Sequence, residues 1–224
     1  MRYNCPVTTS DTDTLPDGDC DDATPTGSLT VITGSMFSGK TEELIRRVRR
    51  ALYARRRVQV FKPGIDVRTD ETIIRSHSGV PHSAITMESS RELYEAVTGD
   101  THVVAIEEVQ FFDSGIIAVC QRLADRGYAV VAAGLDMDYR GRPFGAMPQL
   151  LAIADEVIKL RAICTVCGAE ASRSQRLING NPAPVSAPTV LIGASEAYEA
   201  RCRKHHIVPP AGDPQVVQER FALD

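Results

Sequence analysis

The sequence predicts an α/β protein, a P-loop NTPase-type parallel sheet flanked by helices with a small metal-stapled unit behind it. Three observations carry that prediction. Short, nearly all-apolar runs alternate with stretches of helical period, the pattern of parallel strands buried on both faces. Residues Gly34-Ser35-Met36-Phe37-Ser38-Gly39-Lys40-Thr41 fit G-x-x-x-x-G-K-[ST] at every fixed position. After Leu160 the periodicity stops, and Cys, Gly, Ser and Pro take over.

In chain order, residues 1–28 come first, with six Asp and one Arg, about −5. The formal net charge of −4 over 224 residues therefore leaves the rest near +1, which is not a nucleic-acid-binding balance. Residues 1–28 lack apolar periodicity and read as a disordered acidic tail, so the core starts near Leu29. Strands are expected at Leu29–Thr33, Val58–Lys62, His102–Ile106, Tyr128–Gly134 and Glu156–Leu160. Helices are expected at Gly39–Arg55, Ser90–Val97, Ser114–Asp125 and Pro148–Ala154. In the first helix Leu44, Ile45, Val48 and Leu52 form one apolar stripe, and Arg46, Arg47, Arg49 and Arg50 lie largely off it. Those arginines read either as a solvated face or as a basic patch. The α/β unit is assigned to residues 29–161, the metal unit to 162–206 and a C-terminal tail to 207–224. No run of about 18 apolar residues and no apolar leader is present, so a cytoplasmic protein without a membrane segment is expected.

The glycine-rich loop has its expected context, a buried strand before it and a helix after it. Its backbone N–H groups and the helix N-terminus offer positive charge to a polyphosphate. Lys40 reaches the β- and γ-phosphates, and the Thr41 hydroxyl sits on the Mg²⁺ that accompanies ATP. The bland reading is a strand–helix turn without a ligand.

Residues 162–206 are too few for a core of their own and need a staple. Cys164-Thr-Val-Cys167 and Cys202-Arg-Lys-His205 are two ligand pairs separated by 34 residues. Three thiolates and one imidazole suit tetrahedral Zn²⁺ with no open position, a structural site. His206 is an alternative fourth ligand. A thioredoxin-type redox pair is disfavoured, because no helical pattern follows Cys164 and a second pair exists. Cys120 lies in a helical pattern and reads as a core residue. Asn179-Gly180 and the Pro182, Pro184 and Pro188 cluster mark turns and a long loop.

The second chemical centre is Val103-Val-Ala-Ile-Glu107-Glu108-Val-Gln110-Phe111-Phe112. Carboxylates at the end of an apolar strand are where P-loop enzymes hold Mg²⁺ and orient a nucleophile. One carboxylate serves the metal shell and the other accepts a proton.

Taken together these motifs resemble a known family. The glycine-rich loop, Lys62-Pro-Gly-Ile-Asp66-Val-Arg68, Ser76-His77-Ser-Gly79, Glu107-Glu-Val-Gln-Phe-Phe112, Gly134-Leu-Asp136 with Pro143-Phe-Gly145, and the two ligand pairs occur in order. This set is similar to the zinc-containing, type II thymidine kinases over about residues 29–206. The resemblance implies ATP-dependent phosphorylation of the 5′-hydroxyl of thymidine. It also implies a zinc-anchored lasso closing over the nucleoside, a homotetramer, and feedback inhibition by dTTP. By position it makes Glu108 the general base, and Lys40, Thr41, Asp66 and Arg68 the groups around phosphates and metal. Gln110 and Glu107 join the phosphate side. Met36, Phe111, Leu135, Tyr139 and Phe144 match the thymine pocket. Thr189, Val190, Leu191, Ile192 and Gly193 match the lasso segment whose backbone reads the base, and Tyr198 a nucleoside contact. Cys164, Cys167, Cys202 and His205 match the zinc ligands. Glu107 stands where the family usually has Asp, and His205 where many members have a fourth Cys. Two rivals remain: a P-loop ATPase, motor or switch with a zinc ribbon, which hydrolyses ATP without a nucleoside, and a zinc-ribbon nucleic-acid binder, against which the near-neutral core argues.

Overall fold

The structure is a computed structural model that describes residues 27–64, 73–74, 82–189 and 196–211. The larger part holds β1 (Ser28–Gly34), α1 (Lys40–Tyr53), β2 (Val58–Pro63), β3 (Ile73–Ile74), β4 (His82–Ser83), β5 (Ile85–Met87) and α2 (Ser90–Ala96). It continues with β6 (Val103–Ile106), a 3₁₀ turn (Val109–Phe111), α3 (Gly115–Asp125), β7 (Ala129–Gly134), α4 (Met147–Ile153) and β8 (Glu156–Leu160). The smaller part holds β9 (Ala162–Ile163), β10 (Glu170–Ala171), β11 (Arg173–Ile178), β12 (Asn181–Pro182) and β13 (Glu196–Arg201).

Six strands form one parallel sheet in the order β5-β2-β6-β7-β1-β8. Side chains alternate across it, as a strand's period of two requires. Val31, Val104, Ile106, Val130 and Ala132 enter one apolar layer with Leu93 of α2, Ile116 and Leu123 of α3 and Leu150 of α4. Ile32, Val103, Ala105, Val131 and Ala133 enter the other layer with Leu44, Ile45 and Val48 of α1. This is the three-layer α/β architecture expected. Cys120 is fully buried, and burial pushes its thiol up to about 12, as befits a core residue.

Three expectations are corrected. Glu156–Leu160 is a strand, but it is the sheet edge and is not buried on both faces. Val157 is 46% exposed, and the Glu and Lys beside it blunt the edge. Leu52 leaves the apolar stripe near the end of α1 and is 44% exposed. The Pro-rich stretch is not simply loop: β11 pairs antiparallel with both β12 and β13. Asn179 and Gly180, both at positive φ, turn β11 into β12.

Of the arginines on α1, Arg46 binds Glu43 at 2.6 Å, and Arg47 binds Glu43 and Glu156, each at 3.0 Å. Among the described residues no helix is long and apolar enough to cross a membrane.

Candidate active site

The carboxyl ends of β1, β6, β7 and β8 meet on one edge of the sheet, where open α/β sheets bind ligands. The glycine-rich loop leaves β1 there. Gly34 has a φ of 147°, and a Cβ on it would meet the Leu160 carbonyl oxygen at 2.4 Å. Gly39 starts α1 with a φ of 84°, a left-handed turn that a side chain would strain. Lys40 Nζ donates to the Ser35 carbonyl at 2.8 Å, which curls the loop around its own lysine. Burial lowers the Lys40 pKa from the ordinary lysine value. Glu108, Asp136, Glu42 and Glu107, in that order, pull it back up. The Ser38 hydroxyl is buried in the loop and has no hydrogen-bond partner among the described residues. Such an orphan at the mouth of a loop of this sequence fits a phosphate oxygen. Phe37, at a φ of 62°, is 66% exposed on the loop's rim.

The two carboxylates at the end of β6 have different surroundings. Glu107 Oε1 accepts the Thr41 hydroxyl at 2.8 Å. Its longer side chain therefore still reaches the first turn of α1. Thr41 and Glu107 are the donor pair that would hold Mg²⁺: a hard cation takes hydroxyl and carboxylate oxygens, and both are present side by side. Glu108 sits at a φ of 48°, a conformation rare for a side-chain-bearing residue. Gln110 Nε2 donates to Glu108 Oε2 at 2.5 Å, and Gln110 Oε1 accepts the Leu135 N–H at 3.0 Å. The backbone N–H can bond only to the amide oxygen. That fixes the amide's orientation and presents its NH₂ to Glu108. Gln110 thus holds the Glu108 carboxylate.

The apolar residues assigned to the thymine pocket fall into local groups. Phe111 and Phe144 pack edge to face with ring centroids 5.5 Å apart. Leu135 is buried at the end of β7, and Met36 donates its N–H to the Ser174 hydroxyl at 2.9 Å. Tyr139 and Tyr198 share a small cluster with Ala183 and Ala187. The Tyr139 hydroxyl lies 2.7 Å from the Ala187 carbonyl and 2.9 Å from that of Pro184, so it is committed to the residues leading to the lasso. Arg140, beside it, donates to Val185 O and to the Thr189 hydroxyl at 2.9 and 2.8 Å. Asp66, Arg68, the segment Ser76–Gly79, and Val190, Leu191, Ile192 and Gly193 lie outside the described residues.

The sequence reading placed Asp136 in a motif without giving it a role, and it did not single out Arg140. Asp136 is buried, binds Lys159 at 2.9 Å and acts on Lys40. Its place just beyond the carboxyl end of β7 was the available signal. Arg140 gave none, since one arginine in a turn reads as surface.

The metal cluster assembles as expected, with ligand atoms of Cys164, Cys167, Cys202 and His205 all within 4.8 Å of one another. Cys167 Sγ to Cys202 Sγ is 3.8 Å, Cys164 Sγ to His205 Nδ1 is 3.7 Å, and Cys202 Sγ to His205 Nδ1 is 3.2 Å. Zinc at its usual bond lengths spans tetrahedron edges of about 3.5–3.8 Å, so the donor set fits. Burial opposes ionisation of Cys164, but backbone N–H groups of Cys202, Val166 and Cys167 and the His205 ring outweigh it and bring the thiol to about 6. His206, the alternative ligand, instead faces the Tyr139 carbonyl at 2.8 Å through Nε2.

Residues 27–206 match the family described as TK, thymidine kinase. This chain belongs to the thymidine kinase family. The family's reaction is ATP-dependent 5′-phosphorylation of thymidine. Among solved structures, the cytoplasmic domain of the Thermomonospora curvata type VII secretion ATPase EccC is similar at 11% identity. The match covers 80% of this chain and 24% of that one, with a TM-score of 0.37.

Proposed function

We propose that this thymidine kinase family member transfers the γ-phosphoryl group of ATP to the thymidine 5′-hydroxyl with Glu108 as general base. The observation that carries the reading is the division of labour between adjacent carboxylates: Glu107 is bound to Thr41, and Glu108 is held by Gln110. A sugar hydroxyl is a weak nucleophile at neutral pH. A carboxylate fixed within reach accepts its proton as the O–P bond forms and the bond to ADP breaks. Lys40, desolvated and surrounded by acids, follows the charge that develops on the transferred group. Mg²⁺ bound at Thr41 and Glu107 would neutralise phosphate charge. Glu108 is held in place by the hydrogen bond that the Gln110 amide donates to it.

In this reading Met36, Phe111, Leu135, Tyr139, Phe144 and Tyr198 line the thymine side, and Thr189 to Gly193 form the lasso that closes over the base. Asp66 and Arg68 complete the phosphate side. Cys164, Cys167, Cys202 and His205 hold structural zinc. The same reading takes a cytoplasmic homotetramer. It also takes dTTP as an inhibitor that fills the nucleoside pocket with its base and lays its phosphates over Lys40. A coupled assay across a panel of nucleosides with ATP and Mg²⁺ tests it. ADP formation should require thymidine, and hydrolysis at the same rate without any nucleoside would favour the ATPase reading. Calorimetry should show Lys40→Ala weakening dTTP far more than thymidine. Equal losses would sink the inhibitor model.

A further inference from the structure

Five cations converge on one cleft that none of the glycine-rich loop's residues lines. Lys159 and Arg161 come from the end of β8, Arg173 from the start of β11, and Arg203 and Lys204 from the knuckle between Cys202 and His205. The cleft has a volume of about 570 Å³ and lies between the sheet edge and the zinc unit. Two carboxylates stand against the five cations. Asp136 binds Lys159 at 2.9 Å, and Glu170 binds Arg161 at 2.5 Å. Among the described residues Arg173, Arg203 and Lys204 form no ion pair. Zinc with three thiolates counts formally as −1, so the cleft stays positive even with the metal in place. Burial, and after it the nearby Arg203 charge, lower the Arg173 pKa from the ordinary arginine value, while Asp136 raises it. The fold therefore brings Arg173 within reach of the Arg203 charge. The zinc ligands on either side of Arg203 and Lys204 fix the backbone that carries these two cations.

We propose that this cleft is a second anion site, separate from the glycine-rich loop, that binds a polyphosphate, free or carried by a nucleotide. Its volume falls in the range of small-ligand sites. Guanidinium groups are suited to phosphate oxygens by their planar fork of donors. A nucleic-acid strand fits less well. The cations converge on a concavity rather than forming a track, and among the described residues no aromatic side chain lines it for a base to stack on. Asp136 links the two sites, since it holds Lys159 on one side and acts on Lys40 on the other.

Calorimetry on the full, zinc-loaded chain without thymidine tests the assignment, with tripolyphosphate and ADP as separate probes. Tripolyphosphate should bind Lys40→Ala as well as the unaltered protein. It should bind the Arg161→Gln/Arg203→Gln double variant about tenfold more weakly, with the loss shrinking at high salt. Zinc content should be unchanged in that variant, and so should thymidine-dependent ADP formation, which separates this proposal from the kinase reading. Tighter binding of ADP than tripolyphosphate to Lys40→Ala would assign the phosphates to a nucleotide, and the reverse would assign a free polyphosphate. Three results would overturn the proposal: loss of all tripolyphosphate binding in Lys40→Ala, unchanged affinity in the double variant, or a short DNA duplex as the tighter, Arg203-dependent ligand.

Discussion

The sheet and the zinc unit reach an ordered state by different means. Val31, Ile32, Val104, Ile106, Leu44 and Leu150 are each 0% exposed, and two apolar layers sandwich the sheet. Around the metal the buried cluster is Ala162, Cys164, Ala171 and Ala200, with Cys202 packed against it. Methyl groups of that size offset little of the roughly 1–2 kcal/mol that ordering each residue's backbone costs. The sheet is thus held by burial, and the smaller unit would be held by a metal at Cys164, Cys167, Cys202 and His205. The carboxylates of Glu107 and Glu108 and the glycine-rich loop stand on the first. The strands that Ser174 and Tyr198 belong to stand on the second.

Removing the metal should break this comparison most visibly. Structural zinc supplies on the order of 10–16 kcal/mol of apparent binding energy in small zinc domains. In Cys202→Ser, or after chelation, amide exchange should rise sharply through residues 162–189 and 196–206. The strands β1, β6 and β7 should keep their protection. A zinc-free protein that stays protected around Cys164 would show that burial suffices there too.

Next in size is Glu108→Gln, which keeps the shape but takes no proton. Loss of a general base costs about 10²–10⁴ in rate. The fall should appear in kcat, with thymidine binding retained. Loosening the zinc unit should act mainly on KM, which steady-state kinetics on Cys202→Ser would show. A near-normal kcat in Glu108→Gln beside a large loss in Glu107→Gln would exchange the two roles.

Packing gives the third contrast. Leu44→Ala empties a fully buried site between α1 and the sheet and should cost about 2–5 kcal/mol in denaturant unfolding. Ala171→Gly in the zinc unit should cost about 1 kcal/mol or less, chiefly through backbone freedom. Equal costs would mean that the alanine cluster is a true core.

The large part of this architecture was legible because its signal is apolar. Each of the runs 29–33, 58–62, 102–106 and 128–134 carries its burial in its own residues, and observed ends shift by a residue or so. Strand β5 was missed because three residues, Ile85–Met87, carry no period. Strand β11 was missed for another reason. It reads Arg-Ser-Gln-Arg-Leu-Ile, yet Ser174, Gln175 and Arg176 are buried. Gln175 is satisfied by the backbone of Ile207, donating to its carbonyl at 2.9 Å and accepting its N–H at 2.8 Å. Arg176 donates to the Pro188 carbonyl and lies 5.2 Å from the Tyr139 ring centroid. Such partners are distant in sequence, so a polar strand looks like a loop until the fold supplies them. The site followed the same rule. Glycine-rich loop, carboxylates and zinc ligands were visible as local motifs. The hold of Gln110 on Glu108, and of Arg140 on the residues before Thr189, depends on backbone groups contributed from elsewhere.

The smallest expected effect separates the two regions by the kind of polar contact each uses. Asp113 accepts the Ser90 hydroxyl at 2.6 Å and the N–H groups of Ser90 and Gly115, each at 2.8 Å, tying α2 to α3 in the sheet domain. Those bonds, the Ser90 hydroxyl first, hold its pKa below the usual aspartate value. In the zinc unit Glu199 is lowered chiefly by Arg201, with Thr165 adding to it. In both cases the folded pKa lies below the unfolded one. The stabilisation is therefore complete above the ordinary carboxylate range, and it is lost as pH falls through the lowered folded value. Asp113→Ala should cost about 1 kcal/mol at neutral pH, as loss of a side-chain cap on backbone N–H groups does. Glu199→Ala should cost about 1 kcal/mol or less, as a half-buried ion pair at the surface does. Salt distinguishes them: the Glu199 cost should shrink at high ionic strength, because a charge pair is screened, and the Asp113 cost should persist, because short hydrogen bonds to N–H and O–H groups are not. Denaturant unfolding of both variants at neutral and acidic pH, in low and high salt, measures all of this. An Asp113→Ala cost that stays constant down to acid pH would show that an uncharged carboxyl serves as well there. An equal fall with salt at both sites would remove the distinction between the regions.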